Sequence, residues 1–303
     1  VDGRITDLDR IAALSKDPGI RLLLCDSTNA ELNGSSISES EVGDGLEEIF
    51  MKFQDERIIT TCFSSHIHRI QQIIDISKEQ GRKVATLGFS MERNISLARS
   101  LGIISVSEDD LVDISEIETY PKNQICVIST GSQGEPRSSL NLSAQNSGKW
   151  LRIDENDVII FSSRTIPGNE KRVARLVNNL VSLGASVVND ENLNTHTSGH
   201  GQREELSELH QAANPEWFIP VHGELRHLVA HRELAIEIGT NPKNALLATD
   251  GDQVIMEDSG LTLNRKKCQG HYIFSQGSIV ETRHDLFKDR NILGKEGCVI
   301  ARV

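Results

Sequence analysis

Short apolar runs alternate with amphipathic helical stretches along most of this chain, and nothing else in it restricts the fold so strongly. Parallel strands need a crossover between them, so this order implies an α/β fold with a largely parallel sheet. Strand-like runs fall at residues 22–25, 58–63, 84–87, 125–129, 158–162, 186–188, 217–219 and 245–248. Helical periodicity follows at residues 67–79, 93–101, 170–183, 202–212 and 224–238, with Gly81, Gly102 and Gly184 as stop signals. Ser38-x-x-Glu41 reads as a capping box, opening a helix with Val42, Leu46, Ile49 and Phe53 on one face. Residues 139–148 are polar and rich in Ser and Asn, which predicts an exposed loop. Beyond the Asp250-Gly251-Asp252 turn, short strands are expected at 254–256, 271–274 and 279–282.

Composition limits the function classes. The 303 residues carry a net charge of −12, which argues against non-specific wrapping of nucleic acid by many Lys and Arg contacts. It leaves room for an enzyme that takes a phosphodiester into a metal-bearing cleft, where cations provide the positive charge. None of the five cysteines forms a C-x-x-C pair, and Cys25, Cys62 and Cys126 lie in apolar runs. They read as buried free thiols of a reducing, cytoplasmic compartment, with no Cys zinc site. No apolar run approaches the roughly 18 residues of a membrane span. Val1-Asp2-Gly3-Arg4 reads as the middle of a protein, and residues 296–303 stop within an element, so both ends are expected to continue.

The candidates for chemistry sit at strand ends. His222, in Pro220-Val221-His222-Gly223-Glu224, follows an apolar strand and precedes a helix, where open α/β folds place their sites. Neutral imidazole is also the commonest protein ligand for zinc. His196-Thr197-Ser198-Gly199-His200 offers imidazole, hydroxyl and glycine within one turn region and could converge on the same place. Asp26 ends the first strand; its carboxylate can orient an imidazole, ligate a metal or cap the next segment. The loop Thr130-Gly131-Ser132-Gln133-Gly134-Glu135 is either a phosphate cradle or an ordinary tight turn; it is neither a Walker A loop nor G-x-G-x-x-G. His66-x-His68 opens a helix with Ser64 and Ser65 as candidate caps, and i,i+2 residues do not face each other, so these read as surface histidines. His227 and His231 lack the Glu of H-E-x-x-H and read as the solvent face of a helix.

Taken in order, several stretches resemble the ribonuclease J family of metallo-β-lactamase/β-CASP nucleases. They are Leu24-Cys25-Asp26-Ser27-Thr28-Asn29-Ala30, Ile67-His68-Arg69-Ile70-Gln71-Gln72-Ile73 and Ser129-Thr130-Gly131-Ser132-Gln133-Gly134-Glu135-Pro136. Phe161-Ser162-Ser163-Arg164, Ile166-Pro167-Gly168-Asn169-Glu170, Ser198-Gly199-His200 and Phe218-Ile219-Pro220-Val221-His222-Gly223-Glu224 complete the set, which covers nearly the whole chain. The resemblance implies a partial metallo-β-lactamase αββα domain interrupted by an inserted β-CASP α/β domain. Residues 1–33 would end the first metallo-β-lactamase segment, 34–192 form the β-CASP domain, 193–287 return to the metallo-β-lactamase domain, and 288–303 begin a C-terminal domain.

The same resemblance implies a zinc-dependent ribonuclease, 5′-exonucleolytic and endonucleolytic, acting on single-stranded RNA as a homodimer or homotetramer. Asp26, His200 and His222 would be its motifs A, B and C. His222 would ligate one of two zinc ions. His200, oriented by Asp26, would protonate the leaving oxygen or hold the scissile phosphate. His196, Ser198, Gly199, Gly131, Ser132 and Gln133 would bind phosphate or lie near the RNA path. The family's H-x-H-x-D-H motif is not found here, so residues 1–303 alone are expected to be inactive. A non-catalytic RNA-binding or partner subunit is the alternative, and an unrelated α/β enzyme binding a nucleotide or sugar phosphate at Gly131–Glu135 is a third.

Overall fold

A computed structural model describes residues 5–189, 194–269, 274–276, 279–281, 288–290, 292, 293 and 297. The chain opens with α1 (Leu8–Lys16), β1 (Leu22–Asp26) and α2 (Glu39–Lys52). There follow β2 (Arg57–Thr61), α3 (Ile67–Glu79), β3 (Lys83–Leu87), α4 (Phe89–Ser100) and β4 (Ile125–Ser129). Next come α5 (Ser139–Ala144), β5 (Asp157–Phe161), α6 (Glu170–Ser182) and β6 (Ser186–Val188). The chain then returns through α7 (Arg203–Ala213), β7 (Trp217–Val221) and α8 (Leu225–Glu237). Two antiparallel pairs, β8 (Gln253–Glu257) with β9 (Gly260–Asn264) and β10 (Phe274–Gln276) with β11 (Ile279–Glu281), follow.

The expected α/β class is what forms. Strands β2 to β6 make one fully parallel sheet in the order β3-β4-β2-β5-β6. Both faces are covered, which is why every residue of β2, β4 and β5 is buried. One face packs Leu46, Phe50, Ile70, Ile74 and Met91 from α2, α3 and α4. The other packs Leu140, Leu176 and Leu180 from α5 and α6. From β2 the chain leaves through α3 toward β3, whereas from β5 it leaves through α6 toward β6, on the opposite side. A crevice opens at such a divergence, beyond the carboxyl ends of the two neighbouring strands.

The second sheet is the parallel pair β1 and β7, with Asp26 opposite Val221 in register. That register brings Asp26 and His222 to the same edge although 196 residues separate them (222 − 26). Phe218, Leu234, Ala235 and Leu206 form its core. The 194–200 segment crosses between the two sheets and is held against α2, where Gly45 leaves room: a Cβ there would lie 2.4 Å from the Asn194 carbonyl oxygen.

Several local expectations need correction. Residues 139–148 are not an exposed loop; they contain helix α5, whose Leu140 and Ala144 are buried one turn apart beneath polar neighbours. The strand expected at 245–248 reduces to a single bridge from Ala245 to Phe218, because Leu246 onward finds no further ladder. Helix α4 starts at Phe89 rather than 93, with Gly88 as its N-cap at φ 116°. Helix α3 is not capped by Ser64 or Ser65; its N-cap is His66, without a side-chain cap bond. Strand β9 was not anticipated, and its Leu261 and Leu263 alternate with polar residues as a hairpin partner should. Residues 271–273 and 282 of the expected late strands lie outside the described residues.

Candidate active site

Asp26 is the centre of the site. Its Oδ2 lies 3.0 Å from Nδ1 of His200 and 2.8 Å from Nδ1 of His222. The two imidazoles stack with ring centroids 5.4 Å apart. Oδ1 accepts from the Thr28 amide at 2.9 Å, the Asx-turn bond that a strand-end aspartate favours. A carboxylate only accepts, so His200 Nδ1 carries a hydrogen and donates to it, whereas His222 Nδ1 hydrogen-bonds Thr28 Oγ1 and approaches Oδ2 without bonding it. Partial burial works against the Asp26 carboxylate, but the Thr28 amide and His200 outweigh it and hold its pKa below the ordinary value.

His222 stands at φ 55°, a left-handed conformation that disfavours L-residues by roughly 1–2 kcal/mol. Strand β7 ends one residue earlier, and the turn returns the ring to β1. Thr28 fixes it from the other strand: its Oγ1 donates to the His222 carbonyl at 3.0 Å and lies 3.0 Å from Nδ1. Asn29, one residue on, ties down the other histidine segment. Its Nδ2 donates to Ser198 Oγ at 2.9 Å and to the His200 carbonyl at 2.8 Å. Thr28 and Asn29 were not singled out by sequence reasoning, although both belong to the stretch that begins at Asp26.

A cleft of about 860 Å³ adjoins these residues, lined among others by Asn29, His66, Arg164, His196, Ser198 and His200. It lies at the carboxyl ends of β2 and β5, where the large sheet's connections diverge. Gly199 also lines it; Asp26 and His222 touch it through His200 and Thr28. His196 is half-buried on its wall; burial, with Arg69 and His66 nearby, pushes its pKa down to about 4. His66 is no bare surface residue, since its Nε2 sits 3.2 Å from Glu39 Oε1.

The structure places Gly131, Ser132 and Gln133 differently from the others. All three are buried, and none lines the cleft. Gln133 uses its amide on the next loop, donating to the Arg164 carbonyl at 2.9 Å and accepting from the Ile166 amide at 2.8 Å.

His231 overturns an expectation. It is 1% exposed, and its Nδ1 lies 3.0 Å from Oγ of the fully buried Ser27. Its ring meets Phe218 edge-on at 4.9 Å. Leu228, three residues earlier on the same helix, is also buried, and that spacing was the available signal for a core face. The thiols behave as expected: Cys25, Cys62 and Cys126 are free and buried. Burial, with the Asp26 charge beside Cys25, pushes Cys25 up to about 11. Burial pushes Cys62 up to about 12 and Cys126 up to about 11.

These groups set the acid limb of stability. Burial, with His210 nearby, pushes His231 down to about 4 from the ordinary 6.5, and His196 matches it. The unfolded chain therefore takes up protons first, and stability declines as pH falls from about 6.5 to about 4. Burial alone would raise Glu39, but hydrogen bonds from His66 and Arg69 prevail and hold it at about 2 instead of 4.5. Its contribution is present above about 4.5 and is lost as pH falls to about 2. Urea midpoints measured from pH 7.5 to 3 should fall in two stages. His231→Asn should flatten the upper stage and Glu39→Gln the lower; a midpoint constant down to pH 4.5 contradicts the first assignment.

Asp26, His200 and His222 are the one group of metal-competent side chains among the described residues, with ligand atoms within 4.8 Å of one another. Ligands of a shared tetrahedral zinc lie roughly 3.3 Å apart, given zinc–ligand bonds of about 2.0–2.2 Å. The Asp26 contacts are shorter, so an ion does not fit inside the triangle. The outer side is open to one. With His222 Nδ1 turned to Thr28 and Asp26, Nε2 is the nitrogen left for a metal, and polar groups behind a metal-binding imidazole are the usual way to orient one. The His222 side chain is 68% exposed, which leaves that nitrogen accessible.

Two family models match the chain. Residues 55–180 match the model of the ribonuclease J β-CASP domain. Residues 188–246 match that of the Zn-dependent metallo-hydrolase RNA specificity domain. The chain is 41% identical over 254 residues to a ribonuclease J of Mycolicibacterium smegmatis, an alignment covering 84% of this chain and 45% of the relative. It is 36% identical over 298 residues to a ribonuclease J of Corynebacterium glutamicum, covering 98% of this chain and 41% of the relative. With ribonuclease J 2 of Staphylococcus aureus it shares 34% identity over 297 residues, 98% of this chain and 53% of the relative. It thus spans about half the length of these relatives, or less. The ordered motifs and the parallel sheet fit the two domain models and these relatives: this chain belongs to the ribonuclease J family.

Proposed function

We propose that the protein carrying these residues is a zinc-dependent ribonuclease that cleaves single-stranded RNA, 5′-exonucleolytically and endonucleolytically. The observation that carries this reading is one carboxylate, Asp26, oriented toward two imidazoles at the mouth of a cleft. His222 would hold one zinc ion. Bound metal would supply Lewis-acid charge at the phosphate and water activated at neutral pH. His200, held through Nδ1 by Asp26, turns Nε2 toward the leaving oxygen or the scissile phosphate. Ser198, Gly199 and His196 line the cleft where a neighbouring phosphate would lie. Asn29 keeps Ser198 and His200 in register with Asp26.

A zinc of this kind takes about three protein ligands, and the described residues offer His222. Residues 1–303 by themselves therefore support RNA binding rather than cleavage. The domain reading goes with this: 34–192 as the β-CASP insertion, flanked by metallo-β-lactamase segments 1–33 and 193–287, with 288–303 opening a C-terminal domain. Homo-oligomeric assembly and a cytoplasmic location belong to the same proposal; free buried thiols support the latter. Among the described residues no helix is long and apolar enough to cross a membrane.

The test is metal content and RNA cleavage of the full-length protein, beside its His222→Ala variant. Bound zinc, with cleavage and zinc content both reduced in the variant, is the expected result. Undiminished RNA degradation by His222→Ala sinks the proposal. RNA binding with neither zinc nor cleavage selects the non-catalytic RNA-binding reading instead.

A further inference from the structure

We propose that Arg164 grips an internal phosphodiester of the RNA on the cleft wall, and that Gln133 is the positioning residue that holds it there. The inference rests on the RNA-binding reading above and goes beyond it in assigning both residues.

Arg164 opens the loop that follows β5, at the diverging edge of the large sheet, and it lines the cleft together with His66, His196 and His200. It is exposed, and among the described residues it makes no ion pair. The other cations there are engaged. Arg226 is paired with Glu31 and Glu224, and the guanidinium of buried Arg69 with Glu39. Those same pairs neutralise Glu31 and Glu39, the two acidic residues of the lining. In a chain of net charge −12, Arg164 is thus an uncompensated positive charge facing into the cavity beside the Asp26 cluster. A planar fork of donors in that position suits the non-bridging oxygens of a phosphate.

An exposed loop would ordinarily hold such a group loosely. Here the preceding loop clamps it. Gln133 is 4% exposed and satisfies the Arg164 carbonyl and the Ile166 amide with the two ends of one side-chain amide. Asn169 adds a longer contact to the same Oε1, at 3.4 Å. Gly134, at φ 66°, lets the clamp lie against the start of α6; a Cβ there would come within 2.7 Å of the Arg172 carbonyl carbon. The glycine-rich stretch after β4 therefore works as a buckle for the Arg164 loop, and its own amide is not available to a phosphate.

The experiment is binding of a short 5′-hydroxyl single-stranded RNA to the chain by fluorescence anisotropy, across a series of salt concentrations. Each phosphate contact on a single strand contributes about 0.7 to the slope of log affinity against log salt. Arg164→Ala should lower the slope by that amount and weaken binding several-fold, while Arg164→Lys keeps the slope. Gln133→Ala, and Gln133→Glu as a second variant that retains the acceptor but loses the donor, should each weaken binding. Neither should add to Arg164→Ala in the double variant. A wild-type slope in Arg164→Ala overturns the assignment of Arg164, and additive losses in the double variant overturn that of Gln133. If Arg164→Ala weakens only RNA bearing a 5′-phosphate, the contact is with the terminal phosphate and the internal assignment is wrong. A wild-type chain that binds no RNA overturns the underlying reading, which distinguishes that failure from these.

Discussion

Arg69→Ala should destabilise the chain by about 3–5 kcal/mol, the cost of removing one partner from a buried ion pair. The Arg69 side chain is wholly buried in α3, yet its guanidinium serves four separate segments. Nη1 donates to Ser162 Oγ at 2.6 Å and to the Thr195 carbonyl at 2.7 Å. Nη2 donates to Glu39, and Nε to Gln72 Oε1 at 3.0 Å. Removal leaves the half-buried Glu39 carboxylate with His66 in place of two partners and the Thr195 carbonyl with one donor fewer. Arg69→Lys should recover little, because a single ammonium cannot span a planar fork's acceptors. Arg69→Met keeps the volume and isolates the polar loss. Urea unfolding with an unchanged m-value is the measurement. A loss below about 1 kcal/mol for Arg69→Ala places the residue among solvent-screened pairs and contradicts this account. Thr195 precedes His196, so the lesion also frees the segment that carries His200.

Arg69 shows what a linear reading can and cannot supply. The alternation of strands and helices, and hence the parallel sheet, was legible because both-face burial writes continuous apolar runs such as Ile125-Cys126-Val127-Ile128 into the sequence. Asp26 and His222 were legible because one closes and the other follows a strand, and His200 because its turn gathers hydroxyl, glycine and imidazole. Arg69 was visible only within a family-like string, since an arginine on an apolar helix face is ordinarily solvated. Its burial depends on acceptors 30, 93 and 126 residues away, which no local pattern encodes. For His231 the spacing from Leu228 marks a core face, but its partner Ser27 lies 204 residues off and is not encoded locally. Helix α5 was obscured for a different reason: half of its six residues are polar, and two of those, Asn141 and Ser143, are buried beside Leu140 and Ala144. The glycine-rich loop after β4 had the composition of a phosphate cradle, but side-chain direction decides between cradle and buckle, and composition carries no direction.

Asp26→Ala should leave stability within about 1 kcal/mol, as for a partly exposed side chain, and yet lower RNA cleavage by the full-length protein about 10²–10⁴-fold. The asymmetry follows from what Asp26 does. Its side chain is 37% exposed, so little core is lost. Both imidazoles, however, face the same Oδ2: His200 donates to it, and its charge lies 2.8 Å from His222 Nδ1, so one carboxylate orients two rings. Without it, His222 is free to turn, and zinc affinity should fall by about 10–100-fold. His200 also loses the acceptor that orients its ring. Asp26→Asn should rescue neither function. Two donors, Thr28 and His200, take separate oxygens of the carboxylate, and an amide group replaces one accepting oxygen with a donor. Cleavage rates, zinc titration and unfolding midpoints on the same three proteins separate the outcomes. Cleavage unaffected in both variants removes Asp26 from the machinery. Cleavage lost with zinc affinity unchanged assigns its effect to His200 alone, and parallel loss of both supports one carboxylate orienting two histidines.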